Sequence, residues 1–247
     1  MKSGKIVGVG VGPGDPDLLT LKAIRILHEA DVVCAPTPNS AGDSIALDII
    51  RPTLEERKST PEVITLIFPM VRDETELERA WARNTDRIAK YAQEGKLVAF
   101  VAVGDASLYS TFTYVARALK IKYPEIPIEI IPGVTSLSAC MARACIPLAF
   151  GEETLLIMPR LDLNLLKEQS RIVDNIVWMK GVKSIPETVN ILKQSARFSD
   201  ESQMVIAKRC ALTGEELWKG EIRDASHLKL PEDYFAMMIV RRNSSDA

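Results

Sequence analysis

Three segments of the chain place glycine beside aspartate, serine or threonine at the end of an apolar run. They are GVGVGPGDP at residues 8–16, VGDASLYST at residues 103–111 and IPGVTSLSA at residues 131–139. Glycine, which has no Cβ, lets the backbone come close to a ligand, and a helix N-terminus that follows attracts anionic groups. Carboxylate and hydroxyl side chains in such loops can hydrogen-bond the ribose hydroxyls or an amino group of a small molecule. The three segments are therefore the first candidates for a binding site.

The first segment resembles a dinucleotide-binding loop only in outline. Pro13 lacks the amide hydrogen that a pyrophosphate-binding loop would use. Gly10, Gly12 and Gly14 alternate with other residues, which differs from the GxGxxG spacing of dinucleotide-binding folds. A glycine-rich turn without any ligand is the alternative explanation for this segment.

Helix capping is the alternative explanation for the other two segments. Asp105 can cap a helix that begins near Ser107, and Thr135 or Ser136 can cap the helix that follows Gly133. All three segments nevertheless follow predicted strands, and ligands of open α/β sheets collect outside the carboxyl ends of the strands. Because three such loops would form a crevice together, we favour a ligand-binding role for the set.

The elements that position these loops predict an α/β fold. Strands are expected at residues 6–11, 30–35, 97–103 and 126–131, and helices at residues 17–28, 73–92, 110–119 and 136–144. This alternation predicts a mainly parallel first sheet. Further strands are expected at residues 154–158, 175–180, 204–208, 216–222 and 234–241, with a helix at residues 186–195. Because several of these strands follow one another without a helix, the second sheet should be mixed. The predicted domains are residues 1–131 and 132–247.

The composition argues against several classes of protein. The 247 residues include 31 basic and 33 acidic ones, so the net charge of −2 argues against a nucleic-acid partner. Four scattered cysteines and two histidines lack any paired CxxC spacing, and we expect neither a disulfide framework nor a metal. No apolar run reaches the roughly 20 residues needed to cross a bilayer, and no signal-peptide core is evident. We therefore expect a cytoplasmic protein without a membrane partner.

A resemblance to a known family rests on four motifs in order, GVGVGPGDPDLLTLKA, VGDASLYSTFTY, IIPGVTSLSACMARACIPLA and NIVWMKG. The chain resembles the tetrapyrrole (corrin/porphyrin) methyltransferases from residue 6 to about residue 241. These enzymes transfer methyl groups from S-adenosylmethionine to cobalamin and sirohaem precursors, with S-adenosylhomocysteine as the product. Within the family, GDASLYSTFTY and SLSACMARACIPLAFGEE are most similar to the precorrin-2 C-20 methyltransferases, cobalt-dependent or cobalt-free. Ala106 departs from the proline that many members have after GD, which should slacken this turn slightly.

The resemblance implies two α/β domains with S-adenosylmethionine in the cleft between them, usually within a homodimer. It also implies the cofactor-binding residues, which are Pro13, Val103, Gly104, Asp105, Leu108, Thr135, Ser136, Met179 and Ala211. Among these, Val103, Gly104 and Asp105 would line the methionine and ribose groups. Met179 and Ala211 would contact the adenine, and the remaining residues would complete the walls of the site.

The implied chemistry needs little from the protein beyond alignment. The methyl group of a sulfonium is already activated, and the bridging carbons of a precorrin-2-type tetrapyrrole act as enamine-like nucleophiles. The protein must hold the carbon in line with the methyl group at about 3–3.5 Å, so no nucleophilic side chain is required. Asp105 and Tyr109 are the candidates for a base that removes the proton from the methylated carbon.

The implied tetrapyrrole substrate carries acetate and propionate arms, so cations should face the site. Candidates near predicted strand ends are Arg72, Arg160, Lys180, Lys208 and Arg209. Ordinary surface charge is the alternative for each of them. Lys180 has the strongest case because it directly follows Met179 in the NIVWMKG motif.

Three other functions stay open at this point. A methyltransferase of the same family could act on another corrin intermediate or on uroporphyrinogen III. An RNA ribose or diphthamide-pathway methyltransferase would have a related fold, although the acidic balance argues against RNA binding. A nucleotide-sensing regulatory module would bind the cofactor without transferring a methyl group.

Overall fold

The computed structural model describes residues 4–39, 44–69, 73–228 and 233–242. Internal contacts divide the chain into two compact units, Met1–Ser136 and Leu137–Ala247. Each unit has a five-stranded sheet accompanied by helices, which confirms the predicted α/β class. Among the residues described, no helix is both long enough and apolar enough to span a membrane.

The first unit alternates strands and helices along its length. Its elements are β1 (Lys5–Gly10), a 3-10 turn (Pro16–Leu18), α1 (Leu21–Glu29), β2 (Val32–Thr37), α2 (Ile45–Glu55), β3 (Glu62–Ile67), α3 (Glu74–Gln93), β4 (Leu97–Ala102), α4 (Thr111–Lys122) and β5 (Ile128–Ile131). The strand order is β3-β2-β4-β1-β5, and every pairing is parallel. The prediction of a parallel first sheet is therefore confirmed, and the carboxyl ends of its strands lie at one edge.

The core of this unit explains one glycine of the first motif. Phe112 of α4 is fully buried and packs near Phe100 of β4, with ring centroids 5.3 Å apart. A Cβ added at Gly8 of β1 would lie 2.2 Å from the Phe112 ring. Gly8 therefore serves packing, because it makes room for an aromatic side chain in the core.

Two expectations for the first unit fail for local reasons. The helix expected over residues 17–28 is wrong at its start, because Thr20 accepts a hydrogen bond from the Ala23 amide and begins α1 there. The preceding 3-10 turn is capped separately by the side chain of Asp15. The sequence pattern predicts no element over residues 43–72, yet α2 and β3 lie there. Pro52 inside α2 hides this helix from sequence reasoning.

The second unit has the expected change to a mixed pattern, but its helices at residues 163–169 and 222–225 are not among the predicted elements. Its elements are α5 (Ser136–Ala144, which starts at the last residue of the first unit), β6 (Leu155–Met158), α6 (Leu163–Gln169), β7 (Asn175–Trp178), α7 (Ile185–Lys193), β8 (Gln203–Lys208), β9 (Glu216–Glu221), α8 (Ile222–Ala225) and β10 (Ala236–Arg241). The strand order is β6-β7-β10-β8-β9. Among the described strands of this second sheet, only β6 and β7 pair in parallel, and the other pairs are antiparallel. The predicted mixed sheet is therefore confirmed.

Candidate functional site

The loops after β1 and β4 are joined by backbone hydrogen bonds. The Val11 amide donates to the Ala102 carbonyl at 2.9 Å. Gly12 and Gly104 then exchange two hydrogen bonds, of 3.2 Å from the Gly12 amide and 2.6 Å from the Gly104 amide. Both glycines have positive φ, 77° and 73°, which explains their residue type. The first two sequence motifs therefore form one bonded structure at the edge of the first sheet.

The loop after β5 packs onto the same structure at backbone distance. A Cβ added at Gly133 would lie 2.2 Å from the Gly104 carbonyl oxygen and 2.8 Å from the Gly10 carbonyl carbon. A Cβ added at Gly10 would lie 2.6 Å from the Gly133 nitrogen. Since real Cβ atoms do not come this close to backbone, only glycine fits at these two positions. All three predicted loops therefore meet in the first unit.

Asp105 ties the β4 loop to the β5 loop. Its Oδ2 accepts a hydrogen bond from the Gly133 amide at 2.9 Å, and its Oδ1 accepts from the amide and hydroxyl of Ser107. Partial burial raises the pKa of Asp105, but the hydrogen bonds from Ser107, Gly133 and Leu108 outweigh it and hold the pKa below its ordinary value. The carboxylate is therefore ionised and already accepts hydrogen bonds through both oxygens.

The suggested capping role of Asp105 is wrong. Helix α4 begins at Thr111, and the side chain of Ser110 accepts from the Phe112 amide as its cap. Between Asp105 and this cap, Leu108 is half-buried, whereas the Tyr109 side chain is 38% exposed. Tyr109 has a left-handed φ of 49°, which is uncommon for a residue other than glycine. The loop between β4 and α4 is thus an irregular structure with its own hydrogen bonds.

The remaining first-unit candidates border Gly104. A Cβ at Gly104 would meet the Ser136 amide nitrogen at 3.9 Å and the Thr135 Cα at 4.0 Å, with nothing nearer. The beginning of α5 therefore lies beside Gly104, with a gap between them of about one methyl group. Val103 is half-buried there, and Pro13 is buried within the first loop.

The candidates of the second unit gather at one edge of its sheet. The Met179 amide donates to the Met158 carbonyl at 2.9 Å, which extends the β6–β7 pairing by one residue. The Arg209 amide donates to the Phe235 carbonyl at 3.0 Å, just before β10. Because β7 and β8 are each antiparallel to β10, their carboxyl ends lie at the same edge.

Three candidates at this edge adopt the left-handed conformation. The φ angles are 58° for Lys180, 51° for Arg209 and 63° for Ala211. This conformation costs roughly 1–2 kcal/mol for a residue with a Cβ. Ala211 is held in it by Glu215, whose Oε2 accepts from the Ala211 amide at 2.6 Å and also pairs with Arg143 at 3.3 Å. Backbone strain of this kind clusters at functional sites, which favours a role for these turns.

The predicted cations occupy different surroundings. Lys208 forms an ion pair of 2.9 Å with Glu216. Arg209 has a buried Nε that meets no hydrogen-bond partner within the described part of the chain. Arg160 and Lys180 line a cavity of about 650 Å³ in the second unit. Arg72 lies outside the described residues.

Sequence reasoning missed the other polar residues of this cavity, which are Lys183, Ser184, Asp233 and Tyr234. They come from two segments separated by about fifty positions, so no local motif joins them. The signal available was the GVKS stretch that follows Lys180, since it adds a second lysine beside the first. Within the described ranges, no group of three or more His, Cys, Asp or Glu side chains is arranged to hold a metal ion.

The sequence is similar to those of known proteins over nearly its full length. The chain matches the model of the family described as Tetrapyrrole (Corrin/Porphyrin) Methylases over residues 5–226. It is 32% identical over 239 residues to the probable cobalt-precorrin-2 C(20)-methyltransferase of Methanocaldococcus jannaschii, with 96% of each chain covered. It is 33% identical over 246 residues to the cobalt-precorrin-2 C(20)-methyltransferase of Salmonella typhimurium, with 97% of each chain covered.

A solved structure supports the fold. The uroporphyrin-III C-methyl transferase from Thermus thermophilus, complexed with S-adenosyl homocysteine, superposes with a TM-score of 0.65 at 22% identity. The match covers 96% of this chain and 97% of that one. Because the family model spans most of the chain and both relatives exceed 30% identity over nearly their full length, the resemblance carried by the four motifs is confirmed. The chain belongs to the tetrapyrrole (corrin/porphyrin) methylase family.

Proposed function

We propose that this protein transfers a methyl group from S-adenosylmethionine to carbon 20 of precorrin-2 or cobalt-precorrin-2, in cobalamin biosynthesis. The observation that carries the proposal is the nearly full-length identity of 33% to a relative named as a cobalt-precorrin-2 C(20)-methyltransferase. The meeting of the three loops in the first unit supports it, since the motifs of the resemblance are the segments that form this structure.

The residues at the two sheet edges fit S-adenosylmethionine. The absence of a Cβ at Gly104 leaves its backbone open to close approach by about one ligand atom, because a Cβ there would make only ordinary contacts at 3.9–4.0 Å. In the second unit, the half-buried Met179 offers an apolar surface. We propose that the cofactor is held by Pro13, Val103, Gly104, Asp105, Leu108, Thr135, Ser136, Met179 and Ala211. When bound, it supplies the activated methyl group of a sulfonium.

We assign Asp105 a positioning role within this site. Its two oxygens hold the loops after β4 and β5 together, and its lowered pKa makes it a weak base. We therefore assign removal of the proton from the methylated carbon to Tyr109, whose partly exposed Oη takes up this proton while it releases its own hydroxyl proton to solvent. Tyr109→Phe should lower kcat and leave the affinity for S-adenosylhomocysteine unchanged. An unchanged kcat would exclude Tyr109 as the base.

The decisive assay supplies the purified protein with S-adenosylmethionine and one tetrapyrrole at a time. Metal-free precorrin-2, cobalt-precorrin-2 and uroporphyrinogen III are compared by mass spectrometry of the products. One of the first two should gain a single methyl group, and nuclear magnetic resonance should locate it on carbon 20. Methylation of uroporphyrinogen III alone would favour that alternative. Binding of S-adenosylhomocysteine without any transfer would favour a regulatory module.

We further propose that the enzyme acts in the cytoplasm as a homodimer. The described cysteines are all free thiols, which fits a reducing compartment. Sedimentation equilibrium of the purified protein should give twice the mass of the 247-residue chain, and the mass of a single chain would exclude the dimer.

A further inference from the structure

A cavity of about 650 Å³ lies where three segments of the second unit come together. Met158 of β6 and Trp178 of β7 are partners in the parallel register, and Arg160 and Lys180 each follow two residues later. The third segment, at Asp233 and Tyr234, precedes β10. The volume falls within the range of roughly 300–1,000 Å³ typical of small-ligand sites.

The residues that line the cavity carry a surplus of positive charge. Arg160, Lys180 and Lys183 are basic, and Asp233 alone is acidic among the described lining residues. The Asp233 carboxylate already accepts a hydrogen bond from the Phe235 amide at 2.8 Å, so it shapes the turn before β10. The formal charge of the lining residues that the structure describes is +2, opposite in sign to the net charge of the whole chain. This balance favours an anionic ligand.

The loop after β7 is shaped so that both of its lysines line the cavity. Lys180 and Gly181 have φ angles of 58° and 108°, and the Gly181 amide donates to the Ala236 carbonyl at 2.8 Å. Ser184 precedes α7, but its hydroxyl forms no capping hydrogen bond with that helix. The loop is thus anchored to the start of β10 by its backbone, and its polar side chains line the cavity.

Tyr234 supplies an apolar wall next to these cations. Its side chain is 41% exposed, and the Lys180 Nζ lies 5.8 Å from the centre of its ring. An aromatic face beside a row of cations suits a ligand that combines a flat conjugated ring with carboxylate arms.

We propose that this cavity is a carboxylate subsite, in which Arg160, Lys180 and Lys183 bind the acetate or propionate arms of the tetrapyrrole and Tyr234 packs against its apolar part. The identity of the ligand rests on the proposed function. Lys183 is the residue that this inference adds. Each lysine contributes a charge-assisted contact at a partly exposed position, which places the expected loss at roughly 3- to 10-fold in affinity per lysine.

The test uses uroporphyrin, a stable polycarboxylated porphyrin, and its methyl ester, which has the same ring without the charges. Binding to the full-length protein is followed by fluorescence quenching, and binding of S-adenosylhomocysteine is followed by calorimetry. The variants are Lys183→Met, Lys180→Met and the double substitution. The matched control is Lys167→Met, an exposed lysine of α6 in the same unit that does not line the cavity. Thermal melting verifies that each variant is folded.

We expect the single substitutions to weaken uroporphyrin binding by roughly 3- to 10-fold and the double substitution by roughly 10- to 100-fold, with the control unchanged. The ester should bind weakly to all proteins, and the affinity for S-adenosylhomocysteine should stay the same. Equal behaviour of Lys183→Met and Lys167→Met would overturn the proposal, as would tight binding of the ester. Equal loss of S-adenosylhomocysteine affinity would overturn it too, since the cavity would then hold the cofactor.

The same variants separate this inference from the proposed function. If the wild-type protein methylates precorrin-2 and the double variant does so with an unchanged KM, the subsite is wrong and the function stands. If the variants lose uroporphyrin binding while the wild-type protein methylates neither form of precorrin-2, the subsite stands and the function is wrong.

Discussion

Replacing Gly133 by alanine should separate the loops that follow β4 and β5. The new Cβ would lie 2.2 Å from the Gly104 carbonyl oxygen, whereas an ordinary contact needs at least 3.4 Å. The obstacle is backbone on both sides, so no side chain can turn away to relieve it. The φ of Gly133 is not in the left-handed region, and alanine adds no conformational strain of its own. The loss of stability caused by this substitution therefore reports how closely the two loops pack.

The expected magnitude follows from two losses. Forcing the loops apart by about 1 Å is an overpacking of the kind that costs about 1–3 kcal/mol. The same movement stretches the 2.9 Å hydrogen bond from the Gly133 amide to Asp105, a bond to a charged group that contributes about 1.5–3 kcal/mol. Since the two losses arise from one displacement, we expect a decrease of about 3 kcal/mol in the free energy of unfolding.

Two other glycines provide matched controls. Gly104 has a φ of 73° and Gly151 a φ of 43°, while a Cβ meets nothing within 3.9 Å at the first and nothing within 4 Å at the second. Alanine at either position adds strain without a clash, and each should lose about 1 kcal/mol. Urea unfolding measures stability, and calorimetry measures the affinity for S-adenosylhomocysteine. Gly133→Ala and Gly104→Ala should both weaken binding, whereas Gly151→Ala should not.

Two outcomes would refute this reasoning. If Gly133→Ala is no less stable than Gly151→Ala, the loops after β4 and β5 are not in backbone contact. If Gly133→Ala loses stability but binds S-adenosylhomocysteine as the wild-type protein does, the meeting of the loops is a packing feature without a part in the cofactor site.

Further predictions concern charge, thiols and the loop hydrogen bonds. Hydrogen bonds from Lys22 and Lys5 lower the pKa of Glu129 from 4.5 to about 2, so its contribution is complete above pH 4.5 and is lost as the pH falls toward 2. Because these partners are partly exposed, Glu129→Gln should reduce the free energy of unfolding, measured by urea titration at pH 7, by about 1 kcal/mol. The reduction should become progressively smaller below pH 4.5. A difference between variant and wild type that does not change with pH would contradict the ion pairing. Ellman's reagent should modify one thiol quickly in the native protein, that of the exposed Cys145. The other three thiols, of Cys34, Cys140 and Cys210, are buried, and burial also raises the pKa of Cys34. Fast modification of two thiols would contradict this prediction. Asp105→Ala should lower the free energy of unfolding by about 2 kcal/mol and weaken S-adenosylhomocysteine binding in calorimetry. Ser107→Ala keeps the hydrogen bond from the Gly133 amide to Asp105 and should lower the free energy of unfolding by only about 1 kcal/mol. Equal effects of the two substitutions would argue against the link between the loops.

The strongest elements are predictable because their apolar pattern matches their burial. Helix α5 has the predicted bounds, Ser136–Ala144, and β4 differs by one residue at its end. Strand β3 escapes prediction because it lies at the edge of the sheet, where only Ile64 and Leu66 of its six residues are buried. An edge strand of this kind has too short an apolar signal to stand out from a loop.

The candidate site is predictable in its location but less so in its contacts. Parallel strands direct their carboxyl ends to one edge, so the meeting of the three loops follows from topology. The hydrogen bond between Asp105 and Gly133 joins residues 28 positions apart, and no local pattern specifies such a partner. The left-handed conformations of Lys180 and Arg209 are equally hidden, because these residue types give no indication of positive φ.

That hidden strain leads to a last prediction, in which stability and binding change in opposite directions. Lys180 keeps a side chain where the backbone, at a φ of 58°, would favour glycine. Glycine at position 180 relieves a backbone strain of roughly 1–2 kcal/mol, and part of this gain is lost because glycine raises the conformational entropy of the unfolded chain. Lys180→Gly should therefore be more stable than the wild-type protein by about 0.5–1 kcal/mol. The same variant should bind uroporphyrin more weakly, because its cation is gone. Lys183→Gly, at a position without positive φ, removes the same charge but should be less stable than the wild-type protein. If urea unfolding finds Lys180→Gly destabilised as well, the left-handed lysine is not strained, and its retention at this turn needs no ligand to explain it.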